Sequence, residues 1–145
     1  MTHHPGRDLF DFVRHWSRRW TGAGVTVDRE RGRDVGVTEA VLAHGTTGAT
    51  INQIAAELGI DQSGASRMVS QAIERGYLTK TTATDARRRL VQATAAGKEL
   101  IADSHAWQDE IFADLTHDWT DAEVRQFSGL MQRLMSAHVE RNEAR

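Results

Sequence analysis

Cysteine is absent from this chain, which excludes disulfides, thiolate metal ligands and thiol redox sensing together. No apolar run approaches the ~20 residues that a membrane-spanning helix needs. The opening stretch, MTHHPGRDLF, lacks the apolar centre of a signal peptide. A cytoplasmic location without a membrane partner is therefore expected. Motifs for catalysis are missing as well. Gly22, Gly24 and Gly32 do not space as a phosphate-binding fingerprint, and no nucleophile elbow or persuasive carboxylate pair stands out. The chain does not read as an enzyme, and no cofactor is expected. The seven histidines, at positions 3, 4, 15, 44, 105, 117 and 138, include no pair at H-x-x-x-H or H-E-x-x-H spacing. No metal site is expected from them.

What is present concentrates in residues 50–97. Thr50 and Gln53 form a T-x-x-Q capping box ahead of Ile51, Ile54, Ala55 and Leu58, which share one helical face. Gly59 is a helix stop. Asp61 or Ser63 then caps a second helix, whose apolar positions are Ala65, Met68, Val69, Ala72 and Ile73. Two short helices joined by a tight turn are a helix-turn-helix candidate. Gly76 closes the second helix, and β-prone runs follow at Tyr77–Thr79 and Leu90–Thr94. Between the two runs, the connection carries Asp85, Arg87, Arg88 and Arg89. A helix-turn-helix followed by a hairpin with a basic tip is a winged helix. Its second helix suits the major groove of DNA, and its arginines suit phosphates and a narrow minor groove.

Charge supports a nucleic-acid partner despite a net value of −2. Residues 61–98 hold seven basic against three acidic side chains, a local +4. Residues 99–145 hold four against ten, a local −6. Affinity for a polyanion follows the local field, and the positive segment coincides with the second helix and the wing. On that helix Gln62, Ser63, Ser66, Arg67, Ser70 and Gln71 fall off the apolar face. Arg fits guanine, Gln fits adenine, and Ser is adaptable. A plain solvated face is the rival explanation, and the adjoining wing argues against it.

The flanks are helical. Residues 7–21 carry a stripe of Leu9, Val13, Trp16 and Trp20, widened by Phe10 and Phe12. So much aromatic surface must pack on the core or, as we favour, on a partner subunit. Residues 22–33 read as a loop or broken helix, a short helix resumes over 34–44, and Gly45–Gly48 is a turn. Thr94 caps a long helix to about Leu115, with Leu100, Ser104, Trp107 and Ile111 along a heptad-like seam. Thr120 and Glu123 make a second capping box, with Trp119 and Val124 as a hydrophobic staple. Phe127, Leu130, Met131, Leu134 and His138 extend that last stripe to about residue 140.

The segments IAAELGID, SGASRMVSQAIERGYL and DARRRLVQATAAG resemble the MarR (multiple antibiotic resistance regulator) family of bacterial transcription factors, over roughly residues 35–138. Within the resemblance, Ala93 stands where the family usually has Leu, and Gly64 falls early in the recognition helix. The resemblance implies a single domain, 1–145, mainly α with a small β-hairpin wing. In it a winged helix-turn-helix lobe, 35–94, is flanked by N- and C-terminal dimerisation helices, 7–21 and 95–140. It implies a homodimer on double-stranded DNA, at a pseudo-palindromic operator, acting as a repressor. Arg87 matches the arginine that enters the minor groove, Asp85 the acid that holds it, and Arg67 the leading base-contact candidate. Arg88 is a further wing candidate. The resemblance also implies a small, aromatic or anionic effector, for which Arg14, His15, Trp16, Trp20 and His44 are residues of the right kind. The alternative is a winged-helix protein-interaction module without specific DNA binding, which works through its acidic terminal helices.

On this reading Arg87→Ala weakens operator binding and lowers the slope of log K against log salt by about one ion. Titration across a salt series checks it. Unchanged slope and affinity would remove the wing from the mechanism.

Overall fold

The computed structural model describes residues 3–19, 29–81 and 89–145. In chain order its elements are α1 (Pro5–Arg19), α2 (Arg29–Leu42), α3 (Ile51–Leu58), α4 (Gln62–Glu74), β1 (Leu78–Lys80), β2 (Val91–Ala93), α5 (Ala95–Leu115) and α6 (Asp121–Glu143). This is the mainly helical, winged architecture that the sequence predicts. Two compact units divide the chain, Met1–Ser104 and His105–Arg145. None of the described helices is long and apolar enough to cross a membrane.

In the first unit, the capping box of α3 forms in both directions. The Thr50 amide donates to Gln53 Oε1 at 2.9 Å, and the Gln53 amide donates to Thr50 Oγ1 at 3.2 Å. The helix closes at Gly59 in the left-handed conformation, and α4 opens three residues later, at Gln62. Asp61 is its N-cap, with extended backbone and no side-chain cap bond. Ile54 and Ala55 of α3 pack with Ala65, Val69 and Ala72 of α4 and Val37, Ala40 and Val41 of α2 in one buried cluster. Leu78, Val91 and Ala49 complete it from the wing side.

The 29–33 stretch is helical, although its weak apolar pattern reads as a loop or broken helix. Tertiary contact, not periodicity, decides there: Glu30 and Asp34, one turn apart, both pair with Arg75 beyond the end of α4.

The wing is an antiparallel pair in the register Leu78↔Ala93, Thr79↔Gln92 and Lys80↔Val91. Val91 also bridges Ala49 on its other side, through amide–carbonyl bonds of 2.9 and 2.8 Å. The Gln92 amide reaches the carbonyls of Thr46 and Thr47 at 3.3 Å each. The glycine turn before α3 is thereby stapled to the hairpin. Gly48 is required in it: its φ is +96°, and a Cβ would sit 2.6 Å from the Val91 carbonyl oxygen.

Thr94 leads from the wing into α5, accepting from the Gly97 amide at 3.1 Å and donating to the Gly76 carbonyl at 2.5 Å. Leu100 and Ile101 are buried, as the predicted seam requires of Leu100. On α1, Phe12 stacks on Trp16 with ring centroids 5.5 Å apart, while Phe10, Phe12 and Val13 stay exposed.

In the second unit, Thr116 is buried, its hydroxyl donating to the Phe112 carbonyl at 2.8 Å. Phe112, Trp119 and Phe127 form an aromatic trio, with the Trp119 and Phe127 centroids 5.4 Å apart. The Thr120–Glu123 capping box forms in both directions. No residue of α6 is buried, and Leu130, Met131, Leu134, Met135 and Val139 are exposed.

Two expectations follow. Alanine outranks glycine by about 1 kcal/mol in an unconstrained helix interior, but a Cβ on Gly97 would run into the backbone carbonyl of Tyr77. Gly97→Ala is therefore destabilising, by about 1–3 kcal/mol. Urea unfolding checks it, and a variant as stable as the parent would show that α5 is not pressed on that carbonyl. Hydrogen bonds from the Thr120 amide and hydroxyl hold the Glu123 carboxyl below its ordinary value of 4.5. A lowered carboxylate pKa stabilises the fold above the ordinary value, and that contribution is lost as pH falls through the folded-state value. Glu123→Gln should flatten this part of the acid limb in melting curves. An identical acid limb in the variant would contradict it.

Candidate nucleic-acid interface

The face of α4 opposite its buried side is continuous and polar. Ala65, Val69 and Ala72 point into the core, with Met68 and Ile73 half-buried beside them. Gln62, Ser63, Ser66, Arg67, Ser70 and Gln71 are all exposed. The spacing of three and four residues puts neighbours along this face within reach of one another. Among the described residues, the Arg67 guanidinium forms no ion pair. Short hydroxyls, two amides and one uncommitted guanidinium offer both donors and acceptors, the inventory that base edges call for.

Beside this helix stands the base of the hairpin. Lys80 and Arg89, at the two ends of its described part, are exposed. The wing candidates Asp85, Arg87 and Arg88 lie outside the described residues.

The candidate effector residues are distributed as follows. Arg14 pairs with Asp11 within α1, His15 is exposed, and Trp16 is half-buried against Phe12. Trp20 lies outside the described residues. His44 sits in the turn after α2, with a buried Nε2 that has no hydrogen-bond partner among the described residues. Among the described residues, no group of three or more His, Asp or Glu is placed to hold a metal ion.

One structural element beside this face escapes a reading of the sequence alone. Arg75 caps the C-terminal end of α4 and reaches across to α2. Its Nε and Nη2 donate to the two carboxylate oxygens of Asp34 at 2.6 and 2.7 Å, and Nη1 lies 2.7 Å from Glu30 Oε1. Asp34 is 3% exposed at its side chain, Arg75 28% and Glu30 53%. Hydrogen bonding to Asp34 raises the Arg75 pKa above its usual value, against the opposing effect of burial. The available signal was a pair of acids at i and i+4, which means little until residues 29–33 are known to be helical.

Comparison with known proteins agrees with this geometry. Residues 39–89 match the protein-family model described as MarR family. A MarR family protein from Bacillus stearothermophilus superposes with a TM-score of 0.72 at 13% identity, covering 96% of this chain and 99% of that one. A point mutant of MepR from S. aureus, solved bound to an oligodeoxyribonucleotide, gives 0.60 at 18%, covering 93% and 99%. CouR from Rhodococcus jostii RHA1, solved bound to p-coumaroyl-CoA, gives 0.62 at 23%, covering 92% and 95%. The fold is that of the MarR winged-helix structures. No curated protein matches the chain in sequence.

Proposed function

We propose that this chain, a MarR family protein by its 39–89 segment, is a dimeric, sequence-specific DNA-binding transcriptional regulator: a cytoplasmic repressor, not an enzyme. The observation that carries the reading is the two-sided character of α4. One side is sealed in the core, while all six polar candidates from Gln62 to Gln71 face outward beside the hairpin base. A helix so presented enters a major groove, which admits one α-helix. Arg87 and Arg88 would then reach the flanking minor groove and phosphates, with Asp85 orienting Arg87.

Dimerisation is supported by apolar surface that the single chain leaves open. Phe10, Phe12 and Val13 on α1, and Leu130, Leu134, Met135 and Val139 on α6, amount to more than scattered exposure. Two recognition helices related by a two-fold axis would read half-sites about one helical turn (~34 Å) apart on a pseudo-palindromic operator.

A small aromatic or anionic ligand relieves repression in this account, in keeping with the ligand in the CouR structure. Arg14, His15, Trp16, Trp20 and His44 are its proposed contacts. It would act only through differential affinity for DNA-competent and incompetent dimers.

The test is a gel shift of the protein against its own upstream region at physiological salt. A discrete complex is expected, and Arg67→Ala weakens it about tenfold, the worth of one good bidentate base contact. Weak, sequence-blind binding lost by ~200 mM salt would instead favour a protein-interaction module working through the acidic 99–145 segment.

A further inference from the structure

The Arg75 cluster joins two elements that the DNA-reading proposal treats separately. α2 starts at Arg29, and its first two turns supply Glu30 and Asp34. α4 ends at Glu74, with Arg75 as its cap. Three of the guanidinium nitrogens are each committed to an α2 oxygen at 2.6 to 2.7 Å. A planar fork held at three corners resists both sliding and rotation, which a single ion pair does not. Val37 and Val41 of α2 and Val69 of α4 belong to one buried apolar cluster. The burial that drives this packing is non-directional, whereas the three Arg75 bonds each have a fixed direction. The exposed recognition face, Gln62–Gln71, belongs to the same helix and ends one turn before Arg75.

We propose that Arg75 is a positioning residue for DNA recognition: clamped by Glu30 and Asp34, it sets the angle at which α4 presents Gln62–Gln71, and so couples the first turns of α2 to sequence discrimination. This rests on the regulator reading above. Arg75 need not touch DNA. A tilt of α4 of a few degrees about its C-terminal end displaces the N-terminal side chains most, and bidentate base contacts tolerate little displacement. Phosphate contacts from long basic side chains adjust more freely. Loosening the clamp therefore costs specific binding and spares non-specific binding.

The test compares wild-type protein with Arg75→Lys and Glu30→Gln. Lysine keeps the charge but cannot fill a two-carboxylate fork. Glu30 is half-exposed, and glutamine retains an acceptor oxygen, so that variant folds even if the first does not. The specific probe is a duplex that the wild-type protein recovers from a random-sequence pool. The non-specific probe is a mixed-sequence duplex of the same length. Arg75→Lys should lower the ratio of specific to non-specific affinity about tenfold, as for one lost base contact. Glu30→Gln should lower it in the same direction by less, with mixed-sequence affinity unchanged in both. A purely structural role would depress both affinities in proportion to the unfolded fraction and leave the ratio unmoved, which overturns the proposal. If the wild-type protein enriches no duplex at all, the regulator reading itself fails, and the positioning role falls with it.

Discussion

A buried carboxylate is costly unless its charge is answered, and Asp34 is answered by Arg75. Within the winged lobe, this pairing ties α2 to the end of α4 through directed bonds. Val37 and Val41 follow Asp34 along α2 and are buried with Val69 of α4 and Ile54 of α3. Removing the guanidinium would leave the buried Asp34 carboxylate without the partner that now answers its charge. The pair therefore does two things at once. It permits α2 to enter the core on an acidic residue, and it orients the end of the helix whose outer face is the candidate interface.

Gln92 ties the 45–48 turn to the hairpin, so the start of α3 and the base of the wing move together. Gly97 lets α5 begin against the Tyr77 backbone, directly from the end of β2. In the second unit, the aromatic trio of Phe112, Trp119 and Phe127 joins the end of α5 to α6. The exposed apolar stripe of α6 then remains to be covered. A second copy of the chain is the cover proposed here, and it would set two α4 helices at a fixed separation.

Much of this was legible in the residues. Both capping boxes, at Thr50–Gln53 and Thr120–Glu123, form as their local pattern predicts, because a cap involves only neighbours in sequence. The α4 apolar set and the hairpin strands also fall where periodicity puts them. The extension of α2 back to Arg29 was not legible. Its first turn has no apolar stripe and depends on Arg75, which lies 41 positions beyond Asp34. Gln92 was hidden for the same reason: its partners lie 45 and 46 positions away. Asp61 could be placed as a cap by residue type, but its side chain makes no capping bond. The wing residues Asp85, Arg87 and Arg88 and the aromatic Trp20 are read from sequence alone, since they fall outside the described residues.

The central claim is that two chains present two α4 faces to one duplex. Hydroxyl-radical footprinting on a duplex recovered by the protein, with the bound mass measured by sedimentation, tests it most directly. The account predicts two protected windows about 10 base pairs apart, centre to centre, occupied by two chains. One window, or protection by a lone chain, would contradict it.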